Sequence, residues 1–182
     1  FASGKLRITK ISANGLPNVE TFGGNNDPYT ILSFKEWKAT TSVIDEGGSD
    51  VDWVYTNEPE MRFDVTPNDL TSQQMKVEVW DKNSKLSDVL IGSGEISLKP
   101  CLQNPFGTET KVVISLINKK KKASGTVTIN YILLNNDEDP SLKKASPAPN
   151  RPPDIENVEP TKEIQQKDQK QVPTPAVAAP EK

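Results

Sequence analysis

The sequence contains no histidine and a single cysteine, Cys101. The first absence excludes every Ser/His/Asp or Cys/His relay and every His-ligated metal. The second excludes an intramolecular disulfide and a thiolate zinc cluster, and leaves Cys101 as a small buried or half-buried apolar residue. No apolar run approaches the roughly 20 residues needed to span a bilayer. No signal-peptide pattern is present, and the chain begins at Phe1 instead of Met, which leaves room for an upstream segment. A charge excess of either sign is also missing. The 22 basic and 25 acidic side chains leave a net charge of −3, which argues against a nucleic-acid partner. There is no Gly-x-Ser-x-Gly and no phosphate-cradling glycine loop, so no enzyme is expected. Paired loop carboxylates are the acid–base chemistry that remains.

Aromatics are scarce, and all eleven lie between Phe1 and Tyr131. Nine of the 15 prolines lie in 137–182, a stretch without Phe, Trp, Tyr, Gly or Cys. Such a segment has too little to bury to offset its ordering entropy. The chain therefore divides into a folded part, 1–136, and a disordered Pro-rich tail, 137–182. Pro149 and Pro152 make a Pro-x-x-Pro match within Ser-Pro-Ala-Pro-Asn-Arg-Pro-Pro, readable as a plain linker or as a protein-partner ligand.

Within 1–136 the hydrophobic period is two. Leu6–Ile11, Met75–Trp80 and Val127–Ile132 alternate apolar and polar residues. Other β-rich runs are Tyr29–Phe34, Lys38–Ile44, Met61–Val65, Leu90–Leu98 and Lys111–Ile117. Asn14-Gly15, Gly47-Gly48, Pro67-Asn68-Asp69 and Asn104-Pro105 are among the turn signals between them. No stretch reads as an amphipathic helix of twelve residues. Eight short strands at this spacing predict an all-β fold, an eight-stranded antiparallel β-sandwich of Greek-key type.

In such a path the odd-numbered connections share one end. They are Asn14 to Asp27, Asp45 to Asn57, Asp81 to Val89, and Asn118 to Ser124. The first three are rich in Asp, Asn, Glu and Gly; the last begins Asn118-Lys119-Lys120-Lys121-Lys122. Oxygen ligands from several loops at one end of a rigid scaffold suit a hard cation such as calcium. A lysine cluster beside them would attract anionic headgroups. Each piece also has a plain reading. Asp27 precedes Pro28 and could make an Asx turn, and four lysines could be a solvated turn.

Asn26-Asp27-Pro28-Tyr29-Thr30 resembles the Asp-Pro-Tyr-Val signature of C2 domains, a family of calcium- and phospholipid-binding sandwiches. Val77-Glu78-Val79-Trp80-Asp81-Lys82-Asn83, then Asp88, then Leu90-Ile91-Gly92, is similar to that family's third loop. Gly4-Lys5-Leu6-Arg7-Ile8 with Gly15-Leu16-Pro17 resembles its first strand and the start of its first loop. Trp53–Val65 and Gly125-Thr126-Val127-Thr128-Ile129 resemble two further segments, so the likeness spans about 4–134. The order of pieces resembles the phospholipase-type (type II) permutation.

The resemblance implies five carboxylates, two from loop one and three from loop three. Carried onto this sequence, these fall on Asp27, Asp81 and Asp88, with Asn83 in place of one acid. No Asp stands near Thr21, where Glu20 is the substitute. This implies weak or single-ion calcium binding at most, because ligand charge tunes affinity. It also implies that apolar loop tips, here Phe22 and Leu86, enter the membrane interface beside Lys119, Lys120, Lys121 and Lys122. Phe22 folded back onto the sandwich is the other reading. The expected function is thus a peripheral module on anionic phospholipid, assisted by calcium, cytoplasmic and reversibly membrane-associated. The alternative is a calcium-independent C2-like adaptor that binds proteins through the sandwich or the tail.

Overall fold

The structure, a computed structural model, describes residues 3–21, 23–56 and 58–135. The expectations for the tail, including Pro149 and Pro152, and for Phe22 lie outside the described residues. Among the described residues nine strands form: β1 Gly4–Asn14, β2 Pro28–Phe34, β3 Trp37–Thr40, β4 Val51–Val54, β5 Arg62–Val65, β6 Gln74–Asp81, β7 Val89–Ser97, β8 Glu109–Ile117 and β9 Ala123–Asn135. All pairings among them are antiparallel. The lateral order is β3-β2-β6-β7-β8-β9-β1-β4, with β5 also on β1. β7 and β8 meet at one pair, Ser93 with Ile117. The sheet is thereby divided into two four-lane halves whose apolar faces form one core.

Three expectations are corrected in detail. The eight lanes are as anticipated, but the lane beside β1 is filled by two strands. β4 pairs with Lys10–Ala13 and β5 with Gly4–Arg7. Residues 51–54 are therefore a strand, not part of the third connection. The third strand stops at Thr40, short of the anticipated Ile44. A six-residue helix, α1 (Pro67–Ser72), also replaces a simple turn. Thr66 caps it and exchanges hydrogen bonds with Asp69 in a capping box.

The core follows from parity. Met75, Val77 and Val79 of β6 face inward and are buried, as are Leu32 and Phe34 of β2. Each such side chain contributes about 1.5–3 kcal/mol when fully buried. Strict alternation along β1 would place Lys10 inside and Ile11 outside. A register shift between Ile8 and Lys10 against β9 leaves Thr9 as the extra residue, and Ile11 turns inward. Gly94 lets β7 and β8 approach, because a Cβ there would lie 2.6 Å from Ile114 Cγ2. Cys101 is buried, as its sequence setting implies. Its thiol donates to the Leu98 carbonyl, and burial pushes its pKa up to about 11.

The end of β1, the start of β2, the end of β6, the start of β7 and the β8–β9 turn all fall at one end of the sandwich. The loop carrying Asp27 follows the first strand, which is the expected type II order.

Candidate functional site at the loop end

Asp81 continues the inward parity of Met75, Val77 and Val79 at the last position of β6, so its carboxylate faces in and is fully buried. Its Oδ1 accepts the backbone N–H of Asp27 at 2.7 Å. The Asp27 carbonyl accepts the N–H of Lys82 at 3.0 Å. These two bonds tie the first connection to the fifth. The third connection joins them: the Asp27 carboxylate accepts the N–H of Glu46 at 2.6 Å, and Glu46 Oε2 accepts the N–H of Asn25 at 3.0 Å.

Glu20 brings a further carboxyl, hydrogen-bonded to that of Asp81. Loss of water pushes both acids above their ordinary values, and the Asp27 charge adds to each shift. The N–H of Asp27 partly counters the rise at Asp81. Glu20, Asp27, Lys82, Asn83, Lys85 and Leu86 line a groove of about 340 Å³. Leu86 is 59% exposed there.

Asp88 is placed differently from the expectation. Its Oδ2 accepts the Tyr29 hydroxyl at 2.7 Å and Lys82 Nζ at 3.2 Å, and its Oδ1 accepts the Asn83 N–H at 3.1 Å. These bonds, the Asn83 N–H foremost, hold its carboxyl below the ordinary value. Asp88 therefore fastens the fifth connection to β2. Asn83 directs its amide NH₂ at Asp81 Oδ2, 3.4 Å away.

Calcium can be tested against this donor set. In kind it fits a hard cation: its acids offer only oxygen, and beyond the loss of water the charges of Asp81 and Asp27 push Glu20 up. In number it is short, since Asp88 is committed to Lys82 and Tyr29. Among the described residues no group of three or more Asp, Glu, His or Cys is gathered in a way that could hold a metal. The donor set thus matches calcium in kind and falls short of it in number.

The β8–β9 turn is a separate construction. Asn118 Oδ1 accepts the N–H groups of Lys120 at 2.9 Å and Lys122 at 3.1 Å, and the Asn118 N–H donates to the Lys122 carbonyl. Lys121 takes the left-handed conformation, φ +58°. Lys119, Lys120, Lys121 and Lys122 all project into solvent. Among the described residues none of the four is ion-paired, whereas Lys82 is. Ile117, next to the turn, is 49% exposed.

Two residues at this end escaped sequence reasoning. Glu46 reaches Asp27 from the third connection, where only loop parity pointed to it. Asn26 is buried and holds the first connection together: its Oδ1 accepts the Val19 N–H, and its Nδ2 donates to the Pro17 carbonyl. No helix among the described residues is long and apolar enough to cross a membrane.

A family model described as C2 domain matches residues 4–116. Solved structures with the same architecture include the C2A domain of plant extended synaptotagmin 1. It is 15% identical, has a TM-score of 0.55, and covers 74% of this chain and 95% of that one. The calcium-bound C2A and C2B domains of extended synaptotagmin 2 give 20% identity and a TM-score of 0.54, over 74% of this chain and 47% of that one. Human GIVD cytosolic phospholipase A2 gives 12% identity and a TM-score of 0.55, over 74% of this chain and 17% of that one. At these identities the likeness is one of fold. No curated protein sequence matches the chain.

Proposed function

The chain belongs to the C2 domain family, and from that premise we propose that it is a non-catalytic, peripheral membrane-binding module for anionic phospholipid. The observation that supports this reading is the exposed lysine turn, Lys119–Lys122, free of carboxylate partners among the described residues and at the same end as exposed Leu86. Each lysine near an anionic surface contributes about 1 kcal/mol. Leu86 adds apolar contact at the interface, and Lys85 extends the positive rim.

Calcium belongs to this reading in a supporting role. An ion would draw on Glu20, Asp27 and Asp81, which among the described residues are not gathered into a metal cage without it. When bound, calcium would supply positive charge against three carboxylates that otherwise repel lipid phosphate. The lysine turn and Leu86 act without it.

Sedimentation with phosphatidylserine-containing vesicles, in calcium and in chelator, tests both parts. Binding is expected in chelator and is expected to rise with calcium. Asp27→Asn, which keeps the side-chain shape, is expected to remove the rise alone. Equal binding in both conditions, unaffected by Asp27→Asn, would end the calcium part. No binding in either condition would end the membrane reading.

A second reading, a calcium-independent adaptor, is favoured by one observation: the Asp88 carboxylate is already occupied by Tyr29, Lys82 and Asn83. A melting curve with added calcium tests the calcium part, because a ligand bound only by the native state raises the midpoint, and vesicle binding in chelator separates the membrane module from the adaptor.

A further inference from the structure

Beside the lysine turn lies a second groove, of about 370 Å³, away from the carboxylates. Pro17 and Val19 of the first connection form one wall, and Val89 and Leu90 of β7 form another. Buried Ile91 lies beneath, and Lys119 and Lys120 stand on the rim.

Two asparagines pin its walls. Buried Asn26 uses both polar atoms of its side chain, at 2.9 and 3.0 Å, to hold Val19 and Pro17. Asn118 accepts the N–H of Lys120 and so fixes the backbone of the rim. On the far side Ser124 donates to the Ile91 carbonyl at 2.5 Å, which leaves that hydroxyl hydrogen engaged.

The groove is cationic at one edge and apolar below. A free phosphate would meet two ammonium groups and then an apolar floor, and would gain nothing from the floor. A molecule that is anionic at one end and apolar at the other uses both. The volume is that of a small-molecule site. A peptide partner needs a larger area.

We propose that this groove takes the headgroup of a single anionic glycerophospholipid. The phosphate lies against the ammonium groups of Lys119 and Lys120, and the glycerol and first methylenes lie on Val19, Val89 and Leu90. The inference rests on the membrane reading of this end. It adds a stoichiometric site to what would otherwise be diffuse attraction, and the site works without calcium.

The test uses the full chain in chelator with two probes. One is dihexanoyl phosphatidylserine below its micelle concentration, followed by amide NMR shifts. The other is vesicles of phosphatidylcholine and phosphatidylserine. Saturable shifts are expected at Val19, Val89, Leu90 and Lys120. The pair Lys119→Ala/Lys120→Ala is expected to weaken short-chain lipid binding by roughly tenfold or more. The pair Lys121→Ala/Lys122→Ala, equal in charge, should change it little. Val89→Trp, at a position already exposed, should fill the mouth and abolish the shifts while leaving the melting temperature near wild type.

Equal losses for the two lysine pairs, or stronger lipid binding in Val89→Trp, would overturn the groove and leave the membrane reading standing. Vesicle binding without any saturable short-chain shift would do the same. Failure of vesicle binding altogether would remove the membrane reading and this inference with it. Shifts at the same residues with an acidic, leucine-containing peptide but not with lipid would assign the groove to a protein partner and overturn the proposal.

Discussion

The backbone N–H of Asp27 donates to the buried carboxylate of Asp81 at 2.7 Å. This bond couples the start of β2 to the end of β6, so the two loops keep their spacing. Removing the acceptor leaves the part-buried N–H of Asp27 unsatisfied. Asp81→Ala is therefore expected to cost about 1–3 kcal/mol in denaturant unfolding. Asp81→Asn keeps an acceptor oxygen and removes a charge that burial disfavours. It should be neutral or stabilising at neutral pH. Equal destabilisation by both substitutions would contradict this account of the bond.

Stability should pass through a maximum in mild acid. Asp81 and Glu20 have raised folded-state pKa values, so their ionised forms weaken the fold at neutral pH. That cost is relieved as pH falls through those raised values, and Asp81→Asn should lose its share of the rise. Asp88 has a lowered folded-state pKa. Its contribution is present above its ordinary value of 3.8 and is lost as pH falls through the depressed one. Asp88→Asn should thus melt lower than wild type at neutral pH, with the gap closing only in strong acid. Melting curves of the three proteins across pH check each sign separately.

Gly125 sits at φ +88°, where a Cβ would lie 2.7 Å from the Asn14 carbonyl oxygen and 2.9 Å from that of Gly15. It lets β9 begin against the start of the first connection. Gly125→Ala meets both an unfavourable conformation and a backbone clash, and should lower stability by roughly 1–3 kcal/mol or more. A melting temperature unchanged from wild type would show that the first connection yields easily here.

Asn118→Ala should separate charge from geometry. It leaves all four lysines in place but removes the acceptor of the Lys120 and Lys122 N–H groups. A stability loss of about 1 kcal/mol is expected. Binding to phosphatidylserine vesicles should weaken too, although the formal charge is unchanged. Wild-type vesicle affinity in Asn118→Ala would mean that only the number of lysines matters.

Much of this architecture is legible in the sequence because period-two patterning reports directly on which face a residue occupies. Parity alone brought the four loops to one end, and it explains why Asp81, in step with Val77 and Val79, faces inward. β4 was missed because Val51–Val54 is only four residues long and lies between turn signals. α1 was hidden behind its proline, although Thr66-Pro67-Asn68-Asp69 carries the capping-box spacing with proline at the first helical position. The third shortfall lies in the site. Asp88 reads as a free loop acid, and nothing in the local sequence reveals that Tyr29, 59 positions away, and Lys82 engage it. Glu46 was illegible for the same reason: its role depends on three connections meeting, which is a tertiary fact.

The central claim is that the lysine turn carries this domain to anionic membranes. Its most direct test is sedimentation with phosphatidylserine-containing vesicles in chelator, comparing wild type with a variant in which Lys119, Lys120, Lys121 and Lys122 are all alanine. The account predicts that wild type pellets with these vesicles but not with phosphatidylcholine alone, and that the variant stays in the supernatant with its fold intact. Equal pelleting of the two proteins would contradict it.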